Sequence, residues 1–265
     1  MGVIISVVNN KGGCGKTTTT CNLADALGKR GKKVLVVDMD SQCNATSKLK
    51  PDKTIIRKSL YELIDPEEKN VHVNECIYPT EIKKVSLLPN ISLTANLEPD
   101  IIMNAPDSFL KIKNILKPYA VKEFDFTIID NPQNMGAFVL CSLNASDFVI
   151  VPVEAGSTDS VEGLVKATNL IQNMQQNDSD LKFLRILING LDKRTAISKI
   201  VTDQIINSFD KDDIFETMIP VNTAFQKAEA LNTTIFEAEA TSPGARAFRS
   251  LASEFIKIME GIGYE

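Results

Sequence analysis

The feature that most constrains this chain lies at its start, where a short apolar run leads directly into a glycine-rich segment. Residues 3–8 have the length and the valine and isoleucine content of a buried strand. Residues 11–18 then read Lys-Gly-Gly-Cys-Gly-Lys-Thr-Thr. Glycines let successive backbone N–H groups turn toward a phosphate, and the helix that follows presents its electropositive N-terminus. The sequence therefore predicts a phosphate-binding loop between a strand and a helix.

Within this loop, individual residues have separate expected roles. Lys16 is expected to reach the β- and γ-phosphates, and Thr17 is expected to ligate Mg²⁺. An ordinary loop of this kind has glycine at the position of Asn10, and here an additional lysine, Lys11, begins the loop. The other residues that we expect to contact the nucleotide are Gly12, Gly13, Cys14, Gly15 and Thr18.

Short apolar runs alternate with helical patterns along the rest of the chain, which predicts an α/β fold with a doubly wound, mostly parallel sheet. The predicted strands are 3–8, 33–39, 85–88, 124–130, 148–153, 183–189 and 214–219. The predicted helices are 17–29, 108–121, 136–144, 157–175, 196–208 and 243–260. We expect one domain over residues 1–265, with an irregular helical insertion around 44–106.

Carboxylates stand at the ends of two more predicted strands. Asp38 and Asp40 occupy alternate positions at one strand end, and Asp130 ends another strand. Because the carboxyl ends of parallel strands meet at one edge of the sheet, these side chains are expected near the phosphates. Each aspartate alone is as readily a helix cap or a turn residue. Together with the loop, they favour a nucleotide site with a magnesium ion.

Composition and charge argue against several other classes of protein. The formal net charge of −5 gives no overall attraction to nucleic acid, so a DNA contact must come from a local patch. The five cysteines form no Cys-x-x-Cys pair, which favours a reducing compartment. The single histidine, His72, argues against a histidine-based catalytic triad or a histidine-rich metal site. We see no signal peptide and no apolar run of bilayer length, and we therefore expect a cytoplasmic protein without a membrane partner.

Taken together, the motifs resemble those of the ParA/Soj branch of the MinD-ParA ATPases, which carry the deviant loop Lys-Gly-Gly-x-Gly-Lys-Thr-Thr. The stretches that carry the resemblance include "GKRGKKVLVVDMDSQCNAT", "FDFTIIDNPQNMG", "VPVEAGSTDSVEGL", "ILINGLDKRTAIS", "IPVNTAFQKAEA" and "SPGARAFRSLASEF". The resemblance thus covers essentially the whole chain. It implies the P-loop NTPase fold, ATP and Mg²⁺ as cofactors, and slow, partner-stimulated ATP hydrolysis.

The resemblance also implies roles for particular residues. Lys11 would reach across a nucleotide-sandwich homodimer to the partner's phosphates, as an arginine finger does. Lys16 and Thr17 would serve the phosphates and Mg²⁺ within one subunit. Asp40 would orient the hydrolytic water or its magnesium shell, and Asp130 would support the metal.

Adenine and DNA contacts are likewise implied by the resemblance. Asn189, Pro220 and Asn222 match positions that cradle adenine, although Asn189 also suits a strand-end turn. Family dimers bind double-stranded DNA without sequence preference, and two of the positions where relatives commonly carry arginine are Val221 and Ala224 here. Ordinary solvated surface is the alternative for every basic candidate. These candidates are Lys193, Arg194, Lys199, Lys227, Arg246 and Arg249.

The function that the resemblance implies is DNA segregation. An ATP-bound dimer would associate with nucleoid DNA, and a ParB-type centromere-binding partner would release it by stimulating hydrolysis. Three alternatives stay open: the same switch on a non-DNA cargo such as a protein compartment or polar assembly, a metabolic ligase similar to dethiobiotin synthetase, and a scaffold without turnover. Asp40 argues against the scaffold. Asn131 and Pro132 argue against an iron–sulfur role, because the nitrogenase iron-protein branch has its cysteine there.

Overall fold

The computed structural model describes residues 2–51, 54–68, 70–177 and 179–264. Strands in these residues form one seven-stranded sheet, and their bounds are β1 (Val3–Val7), β2 (Val34–Asp38), β3 (Tyr78–Pro79), β4 (Val85–Leu88), β5 (Phe126–Asp130), β6 (Phe148–Glu154) and β7 (Lys182–Asn189). Their order across the sheet is β3-β4-β2-β5-β1-β6-β7. The pair β3–β4 is antiparallel and the other pairs are parallel. The predicted α/β fold with a doubly wound, mostly parallel sheet is confirmed.

Helices cover both faces of the sheet. In the described residues they are α1 (Lys16–Lys29), α2 (Asn44–Leu49), α3 (Leu60–Ile64), α4 (Glu98–Met103), α5 (Lys111–Glu123), α6 (Ala137–Ala145), α7 (Asp159–Gln176), α8 (Ala196–Ser208), α9 (Thr223–Ala230), α10 (Ile235–Glu239) and α11 (Pro243–Gly261). Side chains of β2 alternate between the two faces, as a strand requires. Val34 and Val36 join the core under α1 and α11, while Leu35 and Val37 join the core under α5 and α6. The continuous apolar runs that predicted the strands thus reflect burial on both faces.

The prediction of a strand at 214–219 is wrong. This segment runs beside β7: Ile214 forms an isolated bridge to it, and the N–H groups of Phe215 and Ile219 donate to β7 carbonyls, both at 2.9 Å. The N–H groups of Glu216 and Thr217 donate instead to the Glu254 carboxylate on α11, at 2.7 and 2.9 Å. Because these two donors are used by a side chain, the hydrogen bonds to β7 are interrupted between Phe215 and Ile219, and no continuous ladder forms. The seventh strand is β3, a two-residue strand at the opposite edge of the sheet.

The irregular region at 44–106 contains α2, α3, β3, β4 and α4, together with 3₁₀-helical segments before β3 and before α4. Ser59 and Glu62 form a capping box that begins α3. Leu60, Leu97 and Ile101 from this region pack into the core under α5 and α6. Ala45 and Leu49 of α2 pack instead into the core under α1 and α11, so the region contributes to both faces of the sheet. No helix in the described part of the chain has both the length and the hydropathy that a bilayer crossing requires.

The topology determines where a ligand site can form. β1 lies between β5 and β6, where the winding of the chain reverses direction. At such a switch point the connections leave the strand ends on opposite sides and open a crevice. The glycine-rich loop leaves β1 at this point, and β2 and β5 end beside it.

Candidate functional site

The loop after β1 has the backbone geometry of a phosphate cradle. Gly13 and Gly15 have φ angles of 77° and 90°, in the left-handed region that glycine adopts without strain. Gly15 is the N-cap of α1, so the unpaired N–H groups of the first helical turn face the loop. A Cβ atom at Gly15 would lie 2.7 Å from the amide nitrogen of Asn189. The loop and the helix N-terminus together form an anion-binding site.

A cavity of about 620 Å³ opens over this loop. Its volume is within the range of small-molecule and cofactor sites. The structure brings Lys16, Thr17 and Asp40 together on its walls, as the strand-end patterns predicted. Further lining residues are Gly12, Gly13, Gly15, Thr18, Met39, Lys48, Glu98, Gln133, Phe138 and Glu229.

Asp130 lies behind Thr17 and is fully buried. The Thr17 hydroxyl donates to the Asp130 carboxylate at 2.7 Å, and the Thr20 hydroxyl donates to it at 3.3 Å. Burial, together with the nearby charge of Asp38, raises the pKa of Asp130 to about 8. Because the Thr17 proton is used by Asp130, the oxygen lone pairs of Thr17 are free for a cation. Thr17 and Asp40 offer hard oxygen ligands, and this donor chemistry fits Mg²⁺.

Asp38 and Asp40 were both expected at the crevice, and for Asp38 this expectation is wrong. Asp38 is fully buried, and its carboxylate accepts from the N–H and the hydroxyl of Thr46 at 2.8 and 2.7 Å. Burial raises the pKa of Asp38 to about 6 in spite of these hydrogen bonds. Asp38 therefore anchors the start of α2, and Asp40 is the carboxylate that faces the cavity.

The two lysines of the loop point in different directions. Lys16 lines the cavity, and its ammonium donates to the Lys11 carbonyl at 3.2 Å. The Lys11 ammonium lies outside the cavity, against the loop from β6 into α7. It donates to the hydroxyls of Ser157 and Ser160, at 2.5 and 3.1 Å, and lies 3.6 Å from the Glu154 carboxylate. In this single subunit, Lys11 is thus held by its own chain.

Asn189 packs directly against the phosphate loop. Its amide donates to the Cys14 carbonyl at 3.0 Å and to the Thr19 hydroxyl at 3.2 Å. Its carboxamide oxygen is buried and has no hydrogen-bond partner among the residues that the structure describes. Asn189 is not among the residues that line the nucleotide cavity. Burial raises the pKa of the Cys14 thiol, as expected for a small packed side chain rather than a reactive one.

The other two residues expected at adenine lie at the start of α9. Pro220 forms an isolated bridge with Leu191, beyond the end of β7. Asn222 is the N-cap of α9, and its side-chain oxygen accepts from the Ala224 N–H at 3.0 Å. Adenine binding by Asn189, Pro220 and Asn222 stays a prediction.

Sequence reasoning missed an ion pair across the cavity. The Lys48 ammonium on α2 lies 2.5 Å from the Glu229 carboxylate on α9, and both residues line the cavity. The Lys48 side chain is 6% exposed, whereas that of Glu229 is 66% exposed. Neither residue belongs to a motif, and they are far apart in the chain. No local signal could have identified the pair.

Several of the candidate DNA contacts are engaged within the chain. The Arg194 guanidinium donates to both oxygens of Asp192, at 2.9 and 2.8 Å, and this contact lowers the pKa of Asp192 to about 2. Arg246 and Arg249 donate to backbone carbonyls at the end of α10 and just after it. The helices α8 and α11 belong to cores on opposite faces of the sheet, so the structure does not gather the candidates on one face. The remaining candidates are exposed lysines: Lys193, Lys199 and Lys227.

A glycine-rich loop at the switch point of a parallel sheet, with an extra lysine at its start, defines a P-loop ATPase of the deviant type. A family model described as "AAA domain" matches residues 2–183. The sporulation initiation inhibitor protein Soj of Bacillus subtilis is 32% identical over 96% of this chain and 98% of its own. The chromosome partitioning protein ParA of Myxococcus xanthus is 31% identical over 97% of this chain and 89% of its own. The chain belongs to the ParA/Soj family of MinD-ParA ATPases.

Solved structures show the same architecture. Cobyrinic acid a,c-diamide synthase from Mycobacterium smegmatis, solved with ADP and magnesium, has a TM-score of 0.82 and 27% identity over 100% of this chain and 98% of its own. The cell division ATPase MinD of Pyrococcus furiosus has a TM-score of 0.76 and 25% identity over 97% of this chain and 100% of its own. The fold therefore serves proteins whose names describe different activities, and the function must be argued from the site.

Proposed function

We propose that this chain is a DNA-partition ATPase whose ATP-bound homodimer binds DNA without sequence preference. A ParB-type partner releases the dimer by stimulating hydrolysis. The observation that carries the proposal is the position of Lys11. Its ammonium lies outside a cavity that Lys16, Thr17 and Asp40 already line. A lysine that its own site does not use is available to a second copy of the chain.

ATP and Mg²⁺ are the cofactors. The synthase from Mycobacterium smegmatis has been solved with an ATP analogue and magnesium as well as with ADP. The amides of the loop and Lys16 hold the phosphates, and Thr17 and Asp40 hold the metal, with Asp130 positioning the Thr17 hydroxyl. When bound, the metal neutralises phosphate charge. Asp40 also orients the attacking water.

The trans role of Lys11 makes nucleotide binding and dimerisation linked equilibria, since each subunit completes the other's site. Loss of the γ-phosphate removes the contact that Lys11 makes across the dimer, so hydrolysis weakens the dimer. We propose that residues 1–265 act in this cycle as one ATPase domain. The protein is cytoplasmic and associates with the nucleoid when ATP is bound.

Co-sedimentation with DNA tests the proposal. Wild type and Asp40→Ala are compared with ATP, with ADP and without nucleotide, at two salt concentrations. DNA binding is expected to require ATP, to be strongest for Asp40→Ala, and to fall steeply with salt because the contacts are to phosphates. Binding that does not depend on ATP refutes the mechanism. So does a Lys11→Ala variant that forms the ATP-dependent dimer as wild type does.

A second candidate function keeps the ATPase switch and replaces DNA by a protein cargo. The observation in its favour is that Arg194, Arg246 and Arg249 are all hydrogen-bonded within the chain, in a protein of net charge −5. The same experiment separates the two candidates. An Asp40→Ala protein that dimerises with ATP but leaves DNA in the supernatant supports the protein cargo.

A further inference from the structure

A second cavity, of about 450 Å³, lies behind the nucleotide cavity. Its walls come from α4, α5, α6 and the turn after α3, and its volume is within the range of ligand pockets. The floor is mainly apolar. It is formed chiefly by Met39, Leu97, Ile101, Ile112, Phe138 and Cys141.

The rim of this second cavity carries unbalanced negative charge. Asp100 and Asp107 line it, are exposed, and have no ion-pair partner among the described residues. The lysine of the rim, Lys111, donates to the Ile64 carbonyl at 2.7 Å, and burial lowers its pKa. An occupant with an apolar group for the floor and a cation for the rim would satisfy both features.

The surface beside the rim continues the apolar character of the floor. Ile102 and Met103 on α4 are 58% and 79% exposed. Adjacent exposed apolar side chains around a cavity are typical of a protein-binding site. They favour a peptide segment as occupant over a free small molecule, which would leave them in water.

The second cavity shares a wall with the nucleotide cavity. Met39 and Phe138 line both cavities. Met39 directly precedes Asp40, and Phe138 lies in the first turn of α6. The Glu98 carboxylate on α4 accepts from the Ala137 N–H at 3.1 Å, which ties α4 to the start of α6. A group that fills the second cavity therefore presses on the residues that position Asp40.

We propose that the second cavity is the docking site for a basic peptide segment of the stimulating partner, with an apolar side chain on the floor and a lysine or arginine at Asp100 and Asp107. This inference rests on the proposed function, because it names where the partner acts. Contact through Met39 and Phe138 couples docking to the nucleotide cavity. Such coupling between sites is commonly worth about 1–3 kcal/mol, or about 5- to 150-fold in affinity.

Fluorescence anisotropy with two synthetic peptides tests the proposal. One labelled peptide carries two leucines one helical turn apart among lysines, and the matched peptide carries glutamates in place of the lysines. The lysine peptide is expected to bind wild type saturably, and the glutamate peptide is not. The rim variant Asp100→Lys/Asp107→Lys and the filling variant Asn104→Trp should each weaken the lysine peptide at least tenfold.

The control variant is Asp203→Lys/Asp210→Lys, which makes the same change in net charge at exposed residues on and after α8. It should bind the lysine peptide within about twofold of wild type, a margin that surface substitutions usually respect. Equal weakening by the control and the rim variant overturns the proposal, because attraction would then be non-specific. No saturable binding of either peptide, or a preference for the glutamate peptide, also overturns it. Binding of a labelled nucleotide verifies that each variant is folded.

Coupling is measured as the change in affinity for a labelled, non-hydrolysed ATP analogue when the lysine peptide is saturating. A change of at least about fivefold is expected, with the same factor for the peptide when the analogue is saturating, since linkage is reciprocal. No change in either direction overturns the link to the nucleotide site. DNA co-sedimentation without peptide reports on the proposed function separately, so failure of one can be told from failure of the other.

Discussion

Contacts within its own subunit hold the Lys11 ammonium, and we predict that removing one of these contacts favours the dimer. To reach a partner's phosphates, the Lys11 ammonium must leave Ser157, Ser160 and Glu154. Ser157→Ala removes one of these contacts and leaves the backbone and the phosphate loop unchanged. Under the proposed trans role of Lys11, this variant should dimerise with ATP more tightly than wild type.

The size of the effect follows from the geometry. A hydrogen bond to a charged group contributes about 1.5–3 kcal/mol when buried. The Lys11 side chain is 21% exposed and Ser157 is half-buried, so about 1 kcal/mol is reasonable for this contact. The Glu154 carboxylate is 39% exposed, and its ion pair adds about 0–1 kcal/mol. Since each dimer releases two lysines, Ser157→Ala should tighten dimerisation by about 2 kcal/mol, or about thirtyfold.

Sedimentation equilibrium with ATP measures the dimer dissociation constant, in an Asp40→Ala background that is expected to block hydrolysis. Thr158→Ala is the matched control, because Thr158 is the exposed neighbour of Ser157 in the same loop. A double-mutant cycle with Lys11→Ala isolates the pair. In the Lys11→Ala background, Ser157→Ala should change nothing. A dimer that is unchanged or weaker in Ser157→Ala alone refutes the reasoning, as does equal tightening in both backgrounds.

Three further predictions concern residues in the wall of the nucleotide cavity and directly behind it. Lys48→Ala breaks the ion pair with Glu229, and such a pair contributes about 1 kcal/mol. The variant should therefore release a labelled nucleotide about fivefold faster in a stopped-flow measurement. A variant in which the two charges are exchanged should restore the slow rate. The Thr46 hydroxyl donates to the Asp38 carboxylate and accepts from a backbone N–H. Thr46→Val removes both hydrogen bonds and should lower the free energy of urea unfolding by about 2–5 kcal/mol, whereas Thr46→Ser should lower it by about 1 kcal/mol or less. Burial raises the pKa of Asp130 to about 8 from 3.8, so the folded state keeps a proton that the unfolded state has lost, and stability without nucleotide should fall as pH rises from about 4 through about 8. Asp130→Asn should remove the part of this fall that lies above about pH 6 from the urea midpoints, whereas the part below it remains because burial also raises the pKa of Asp38 to about 6.

The parts of the fold that could be predicted are those with a strong local signal. The strands β1, β2 and β5 are continuous apolar runs, and α8 was predicted at its observed bounds. The segment 214–219 is as apolar as these strands, but a glutamate on α11 takes two of its N–H groups. The strand β3 has two residues, one of them proline, and gives no pattern at all. The error at 214–219 thus comes from a partner distant in sequence, whereas β3 was missed because it is so short and pairs with the nearby β4.

The residues of the candidate site likewise divide into those that a local sequence pattern predicts and those that it does not. Lys16, Thr17 and Asp40 could be placed together because parallel strands bring their carboxyl ends to one edge. The roles of Lys48 and Ser157 could not be predicted, because each depends on how a helix or a loop packs over that edge of the sheet. Asp38 shows the limit within a motif. Its burial is determined by a threonine on the next helix, and the spacing of the two aspartates says nothing about which one faces the cavity.

Residues 38–40 are consecutive in the chain, and each has a different structural role. Asp38 anchors α2 through Thr46, Met39 lines both cavities, and Asp40 lines the nucleotide cavity. Consecutive side chains at the end of a strand point in different directions, so Met39 can contact the second cavity while the next residue, Asp40, faces the nucleotide cavity. The Met39 N–H donates to the Asp130 carbonyl at 2.9 Å and the Asp40 N–H donates to the Asp38 carboxylate at 3.1 Å, so the backbone is held on both sides of the Met39 side chain. Under the proposed docking, a partner that fills the second cavity would therefore act on Asp40 through Met39, and it would change nucleotide affinity as well as hydrolysis.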